Sequence, residues 1–121
     1  MAGKFCVTIA SSRESNDRVT LGFVVANAAL GSDKETLVFL SADGVWAAVK
    51  GEAEKVSIGA PFAPLKELVD KFIAGGGKLL VCTPCLKKRG IEPDALVAGA
   101  APAGGAALVE WLAESPSCVG Y

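Results

Sequence analysis

The 121-residue chain contains no histidine, and its charges nearly cancel, with 12 lysines and arginines against 13 aspartates and glutamates. Without an imidazole, Ser-His and Cys-His catalysis, His-ligated metal centres and histidine proton shuttling are excluded. Without a charge excess, no global field attracts a nucleic-acid backbone or an anionic membrane, so electrostatic recognition must be local. Aromatics make up 7% of the chain and are not interleaved with cations, which argues against base stacking. The longest apolar runs, Phe23 to Leu30 and Ala95 to Ala103, fall short of the ~20 residues a membrane span needs. No GxGxxG follows the first strand, and GxxxxGKS/T and Gly-x-Ser-x-Gly are absent, so no cofactor is expected. The first ten residues hold too short an apolar stretch for a signal peptide, and the reading is cytoplasmic.

What remains is a hydrophobic chain, 51% apolar and 21% charged with 14 glycines, sized for one domain over residues 1–121. Lys4 to Ser11 reads as a buried first strand followed by a polar loop. Asn16 or Asp17 caps a mostly buried helix that runs from Arg18 to Gly31, where the glycine has the character of a helix terminator. Glu35 to Ser41 is a second near-continuous apolar strand, as a parallel sheet covered on both faces requires. After the Asp43-Gly44 break, Val45 to Val49 reads as a short helix. Lys50 to Pro61 reads as a loop with a short extended piece at Val56-Ser57-Ile58. Pro64 to Ala74 places Leu65, Leu68, Val69, Phe72 and Ile73 on one helix face, and Gly75-Gly76-Gly77 ends it. Lys78 to Cys82 is the third strand, followed by a short helix from about Pro84 to Lys88. Glu92 to Ala103 is open between a helical turn and an extended segment. Ala103 to Glu114 reads as a helix, and Cys118 to Tyr121 as a last strand. The expected fold is α/β: a three-layer, open, mostly parallel sheet of about five strands, with helices on both faces and right-handed crossovers.

The chemistry concentrates at Cys82-Thr83-Pro84-Cys85, where a strand stops and the cationic segment Lys87-Lys88-Arg89-Gly90 follows. With Thr83 as N-cap and Pro84 at the first helical position, Cys85 falls in the first turn and Cys82 just before it. Both places favour thiolate over thiol, and Lys87, Lys88 and Arg89 add positive charge if they fold back. The competing reading is that both cysteines are small apolar core residues. Cys6, mid-strand between Phe5 and Val7, reads as structural, and Cys118 carries no motif. Thioredoxin-like oxidoreductases also place such a pair at a helix start, but here too little chain follows and no tryptophan precedes Cys82. One CxxC supplies only two zinc ligands, so no metal site is expected. Asp43 can act as acid, base or ligand, although an Asp-Gly pair is more often simply a turn.

Val81-Cys82-Thr83-Pro84-Cys85-Leu86-Lys87-Lys88-Arg89-Gly90-Ile91 resembles the DsrE-like family of sulfur-relay proteins. In that family a cysteine after a strand, trailed by Arg-Gly and an aliphatic residue, bears the sulfur. Cys82 matches that cysteine, and Arg89, Gly90 and Ile91 match the trailing pattern. Leu37 to Val45, with its Asp43-Gly44-Val45 turn, and the small-residue helix Ala103 to Leu112 extend the resemblance. Cys85 departs from members with a single sulfur-bearing cysteine.

The resemblance implies a sulfur carrier or sulfurtransferase that exchanges persulfide with donor and acceptor proteins bearing reactive thiols, assembled as a homo-oligomer, a trimer or hexamer. Two other readings stand beside it. One is a non-catalytic oligomeric module that binds a small ligand or partner with the sheet edge and the Asp43-Gly44 turn. The other is a dithiol reductase that cycles Cys82 and Cys85.

Overall fold

The computed structural model describes residues 3–114 and 116–121. Strand β1 (Lys4–Ile9) leads through helix α1 (Asn16–Gly31) to β2 (Glu35–Leu40), and then through a 3₁₀ segment (Ala42–Ala48), a second 3₁₀ turn (Ala53–Lys55) and α2 (Leu65–Ala74) to β3 (Lys78–Cys82). Helix α3 (Thr83–Lys88) and a 3₁₀ turn (Pro93–Ala95) connect to β4 (Ala100–Ala103), and α4 (Gly105–Leu112) connects to β5 (Ser117–Gly120). All neighbouring strands are parallel, in the order β4-β3-β2-β1-β5. The expected five-stranded α/β fold is therefore the fold observed.

This strand order explains how the helices divide between the two faces. Up to β4 the chain steps always in one direction across the sheet, and then it jumps back past β1 to place β5. With a constant crossover hand, the reversal carries the last helix to the opposite face. The side chains agree. Phe23 of α1, Leu65, Val69 and Phe72 of α2, and Leu86 of α3 share one core with Val7, Ile9, Val38, Leu40, Leu79 and Val81 of the strands. Trp111 of α4 instead covers Cys6, Leu37, Phe39 and Leu80 on the other face. Strand side chains alternate between these cores, so the central strand β2 is buried from Thr36 to Leu40 and reads as an unbroken apolar run.

Within the main core Phe23 and Phe72 meet edge to face, with centroids 6.0 Å apart and planes at 78°, the geometry favoured by ring quadrupoles. Asn27 Nδ2 donates to the Leu68 carbonyl (3.0 Å) and ties α1 to α2. The α4 face is thinner. Trp111 is the one buried residue of α4, whereas Val109 keeps 66% of its surface exposed.

Several boundaries differ from the sequence expectation. The residue before α1 is Ser15, whose side chain makes no capping bond, and Gly31 is the last helical residue. The left-handed turn that ends the helix is taken by Asp33 (φ 62) instead of a glycine, a conformation asparagine and aspartate tolerate better than most residues. Val45 to Ala48 belong to the 3₁₀ segment Ala42–Ala48, whereas Val49 is extended and bridges to Leu96, and Val56 to Ile58 form no strand. The open stretch from Glu92 resolves into the Pro93–Ala95 turn and strand β4, and the last strand is displaced by one residue to Ser117–Gly120.

Gly44 holds the loop after β2 against the end of β1. A Cβ at Gly44 would overlap the Ile9 carbonyl oxygen, whereas one at Gly105, the first residue of α4, would meet nothing within 4 Å. In urea unfolding, Gly44→Ala is expected to cost about 2 kcal/mol or more, because backbone cannot yield as a flexible side chain can. Gly105→Ala is expected to be neutral or to gain up to about 1 kcal/mol. Equal midpoints for the two variants would show that the close approach at Gly44 carries no weight.

Candidate functional site

The thiol pair lies where β3 ends. The backbone turns at Cys82 (φ −58, ψ 116), which itself occupies the cap position of α3, so Thr83 and Pro84 are the first two helical residues and Cys85 the third. Thr83 is thus not the N-cap. Along the helix, Cys82, Cys85 and Arg89 fall on one face, while Thr83, Leu86, Lys87 and Gly90 fall on the adjacent one. The second set, with Ile91, Glu92, Pro93 and Pro102, lines a groove of about 240 Å³. Cys82 and Cys85 are both half-buried and both free. They face different sides of the sheet: Cys82 packs against the α4 core, and Cys85 against the main core.

The Arg-Gly-Ile sequence after the pair has a structural account. Arg89 donates through Nε to Asp43 Oδ1 (3.0 Å), with its Nη2 at 3.0 Å from the same oxygen, and its Nη1 donates to the Cys85 carbonyl (3.1 Å). One guanidinium therefore ties α3 to the turn after β2. Gly90 takes φ +68, and the bonds from its N–H to the Lys87 carbonyl and from Ile91 N–H to the Leu86 carbonyl close the helix end. A left-handed residue there favours glycine. Ile91 is then buried in the main core.

Asp43 and Gly44 thus serve the site by holding it, Asp43 through its ion pair with Arg89 and Gly44 by its close approach to β1. Lys87 and Lys88 are exposed in the last turn of α3, and no ion pair or hydrogen bond joins them to either sulfur among the described residues. The positive group near the pair is Arg89.

Two features carried no sequence signal. Ala42 has φ 49, a left-handed conformation that an alanine seldom adopts, and its N–H donates to Cys85 Sγ at 3.2 Å. The other is a second thiol pair. The parallel pairing of β1 with β5 sets Cys6 directly opposite Cys118, with Cys6 fully buried and Cys118 exposed. Only the strand order could have revealed it, since the two residues lie at opposite ends of the sequence.

The two paired thiols respond to these surroundings. Cys82 does not gain the thiolate character expected of its position. Burial pushes its pKa up, the hydrogen bond with the Cys85 thiol and charge on Cys85 push the same way, and the Cys85 backbone amide and Arg89 only partly oppose them. Cys6 is pushed further, from 9.0 to about 12, first by burial and then by its thiol contact with Cys118. Among the described residues no three His, Cys, Asp or Glu side chains gather as metal ligands, and no helix is long and apolar enough to cross a membrane.

The family model described as DsrE/DsrF-like matches residues 3–119. The chain belongs to the DsrE/DsrF-like family. An uncharacterized protein of Methanocaldococcus jannaschii is 33% identical over 92 residues, covering 76% of this chain but only 33% of that protein. This chain therefore spans about a third of that relative's length. An uncharacterized protein of Methanopyrus kandleri is 27% identical over 113 residues, covering 93% of this chain and 89% of the relative. Two crystallographically or otherwise solved proteins share the fold. The ychN protein from E. coli superposes with a TM-score of 0.81 at 18% identity, covering 100% of both chains. A protein of unknown function from Methanobacterium thermoautotrophicum superposes with a TM-score of 0.78 at 15% identity, covering 98% of this chain and 99% of its own.

The raised Cys6 pKa sets the sign of an alkaline stability change. Above 9.0 the unfolded chain releases the Cys6 proton while the folded chain keeps it until about 12. The contribution is complete below 9.0 and is lost as pH rises toward about 12. Urea midpoints are expected to fall over that interval more steeply in the native sequence than in Cys6→Ala, and parallel profiles would refute the assignment. At neutral pH, Cys6 is expected to escape iodoacetamide while the protein is folded.

Proposed function

We propose that this protein carries sulfane sulfur between thiols, with Cys82 holding the transferred sulfur and Cys85 as the second thiol. What supports this reading above all is the half-buried, free thiol pair at the end of β3, braced by the Arg89–Asp43 ion pair in a DsrE/DsrF-like chain. In the proposed reaction a thiolate attacks the outer sulfur of a donor persulfide, the donor's S–S bond breaks, and the donor leaves as a thiolate. An acceptor thiolate then takes the sulfur in the same way, and no net oxidation occurs. Such exchange needs an accessible thiol and a docking surface, not a deep pocket. Donor and acceptor are proteins with reactive thiols, and the carrier acts as a homo-oligomer, a trimer or hexamer, in the cytoplasm.

A second reading, dithiol–disulfide exchange, is favoured by the placement of two free thiols three residues apart, Cys82 at the cap of α3 and Cys85 in its first turn. Incubation with inorganic polysulfide followed by intact-mass measurement separates the two. Sulfur transfer predicts a gain of about 32 Da per sulfur atom, located on the Cys82–Cys85 peptide, lost in the Cys82→Ser/Cys85→Ser double variant and retained in Cys6→Ser. Disulfide exchange predicts a loss of about 2 Da on that peptide instead. No change on either cysteine at neutral pH would leave the chain as a binding module and reject both.

A further inference from the structure

We infer that Cys85, not Cys82, is the thiol that attacks first, and that the backbone amide of Ala42 is the donor that holds the charge on its sulfur. This inference deepens the sulfur-transfer reading above and assigns the two thiols successive roles.

Cys85 Sγ is the atom that the turn after β2 addresses. The Ala42 N–H points at it from 3.2 Å, and a neutral thiol is a weak acceptor, whereas a sulfur anion turns the same contact into a charge-assisted bond. The donor is held rigidly. Ser41 N–H donates to the Ile9 carbonyl at 3.0 Å and Gly44 N–H to the Ser41 carbonyl at 2.8 Å, and Gly44 has no room for a side chain against Ile9. Ala42 sits between these anchors at φ 49. A strained non-glycine residue persists when its surroundings over-determine it, and such residues cluster where an orientation is used. A fixed donor aimed at the site of developing charge needs no reorganisation when the charge forms.

The other groups around Cys85 agree with this assignment. From the turn, the nearest charge is the Asp43 carboxylate, which is engaged by Arg89 at 3.0 Å. From its own helix, Arg89 donates to the Cys85 carbonyl, and Lys87 and Lys88 lie exposed. From β3, the neighbour is the Cys82 thiol, whose pKa is pushed up by burial and by its contact with Cys85.

The sequence of steps balances without a further reactant. The Cys85 thiolate attacks the outer sulfur of a donor persulfide R–S–SH, giving Cys85–S–SH and the donor thiolate. The Cys82 thiol gives up its proton to solvent, and its sulfur attacks the outer sulfur of Cys85–S–SH. That sulfur leaves as Cys82–S–SH, and the Cys85 thiolate is regenerated. The sulfane sulfur moves one position along the pair, and no electrons are gained or lost.

The test uses the reduced full-length chain and substoichiometric iodoacetamide at neutral pH, with the labelled residue located by peptide fragmentation. Cys85 is expected to label about tenfold faster than Cys82, because a fixed N–H donor aimed at its sulfur stabilises the anion that alkylation consumes. Cys82→Ser is expected to keep fast labelling at Cys85, and Cys85→Ser to lose it. As a readout independent of rate, the Ala42 amide proton resonance is expected to move as the thiol is titrated in the native chain and in Cys82→Ser, and to stay fixed in Cys85→Ser. Labelling of Cys82 first, equal labelling, or an Ala42 resonance indifferent to Cys85 would overturn the inference. Alkylation needs no persulfide, so fast Cys85 labelling with no sulfur adduct on either cysteine rejects sulfur transfer alone.

Discussion

The thiol end of the sheet depends on the backbone of Gly44 lying directly against the Ile9 carbonyl, a contact that excludes any side chain. Because the loop after β2 is pinned there, Ala42 and Asp43 stand at fixed positions beside the end of β3. Asp43 then captures Arg89 from α3, and Arg89 reaches back to the Cys85 carbonyl. Strand ends, turn and helix thus form a closed circuit around the two sulfurs. The bond energies involved are ordinary. What matters is that they join three elements distant in sequence.

This arrangement gives a physical meaning to residues first noticed as a sequence pattern. Arg89, Gly90 and Ile91 do not surround the sulfur as a cationic rim would. Arg89 braces the turn, Gly90 supplies the left-handed residue that lets the chain leave α3, and Ile91 plants the departing chain in the core. Their spacing from Cys82 follows from the length of a six-residue helix and its terminator. The charge of Lys87 and Lys88 is directed outward, toward whatever approaches.

Much of the fold was legible because its signals are local. The unbroken apolar run of β2, the spacing of Leu65, Val69 and Phe72, and the triple glycine after α2 each specify an element without reference to the rest of the chain. The thiol pair was equally legible, since its four residues are contiguous. Strand β4 was not, because Ala100-Ala101-Pro102-Ala103 has neither β-branched residues nor alternation and owes its conformation to pairing with β3. The left-handed Ala42 could not be read either, as alanine gives no hint of a conformation imposed by its neighbours. The opposition of Cys6 and Cys118 depends on a strand order that joins the two ends of the sequence, information no local pattern contains.

Cys82 and Cys85 belong to different faces of the sheet, the first packed toward Trp111 and α4, the second toward the core shared by α1 and α2. A sulfur atom that passes from one to the other therefore crosses the plane of the sheet while travelling only from one side chain to its neighbour. Its source and its destination need not compete for the same ground. Under the transfer proposed above, a donor meeting Cys85 and an acceptor meeting Cys82 would approach the strand end from different faces of the sheet.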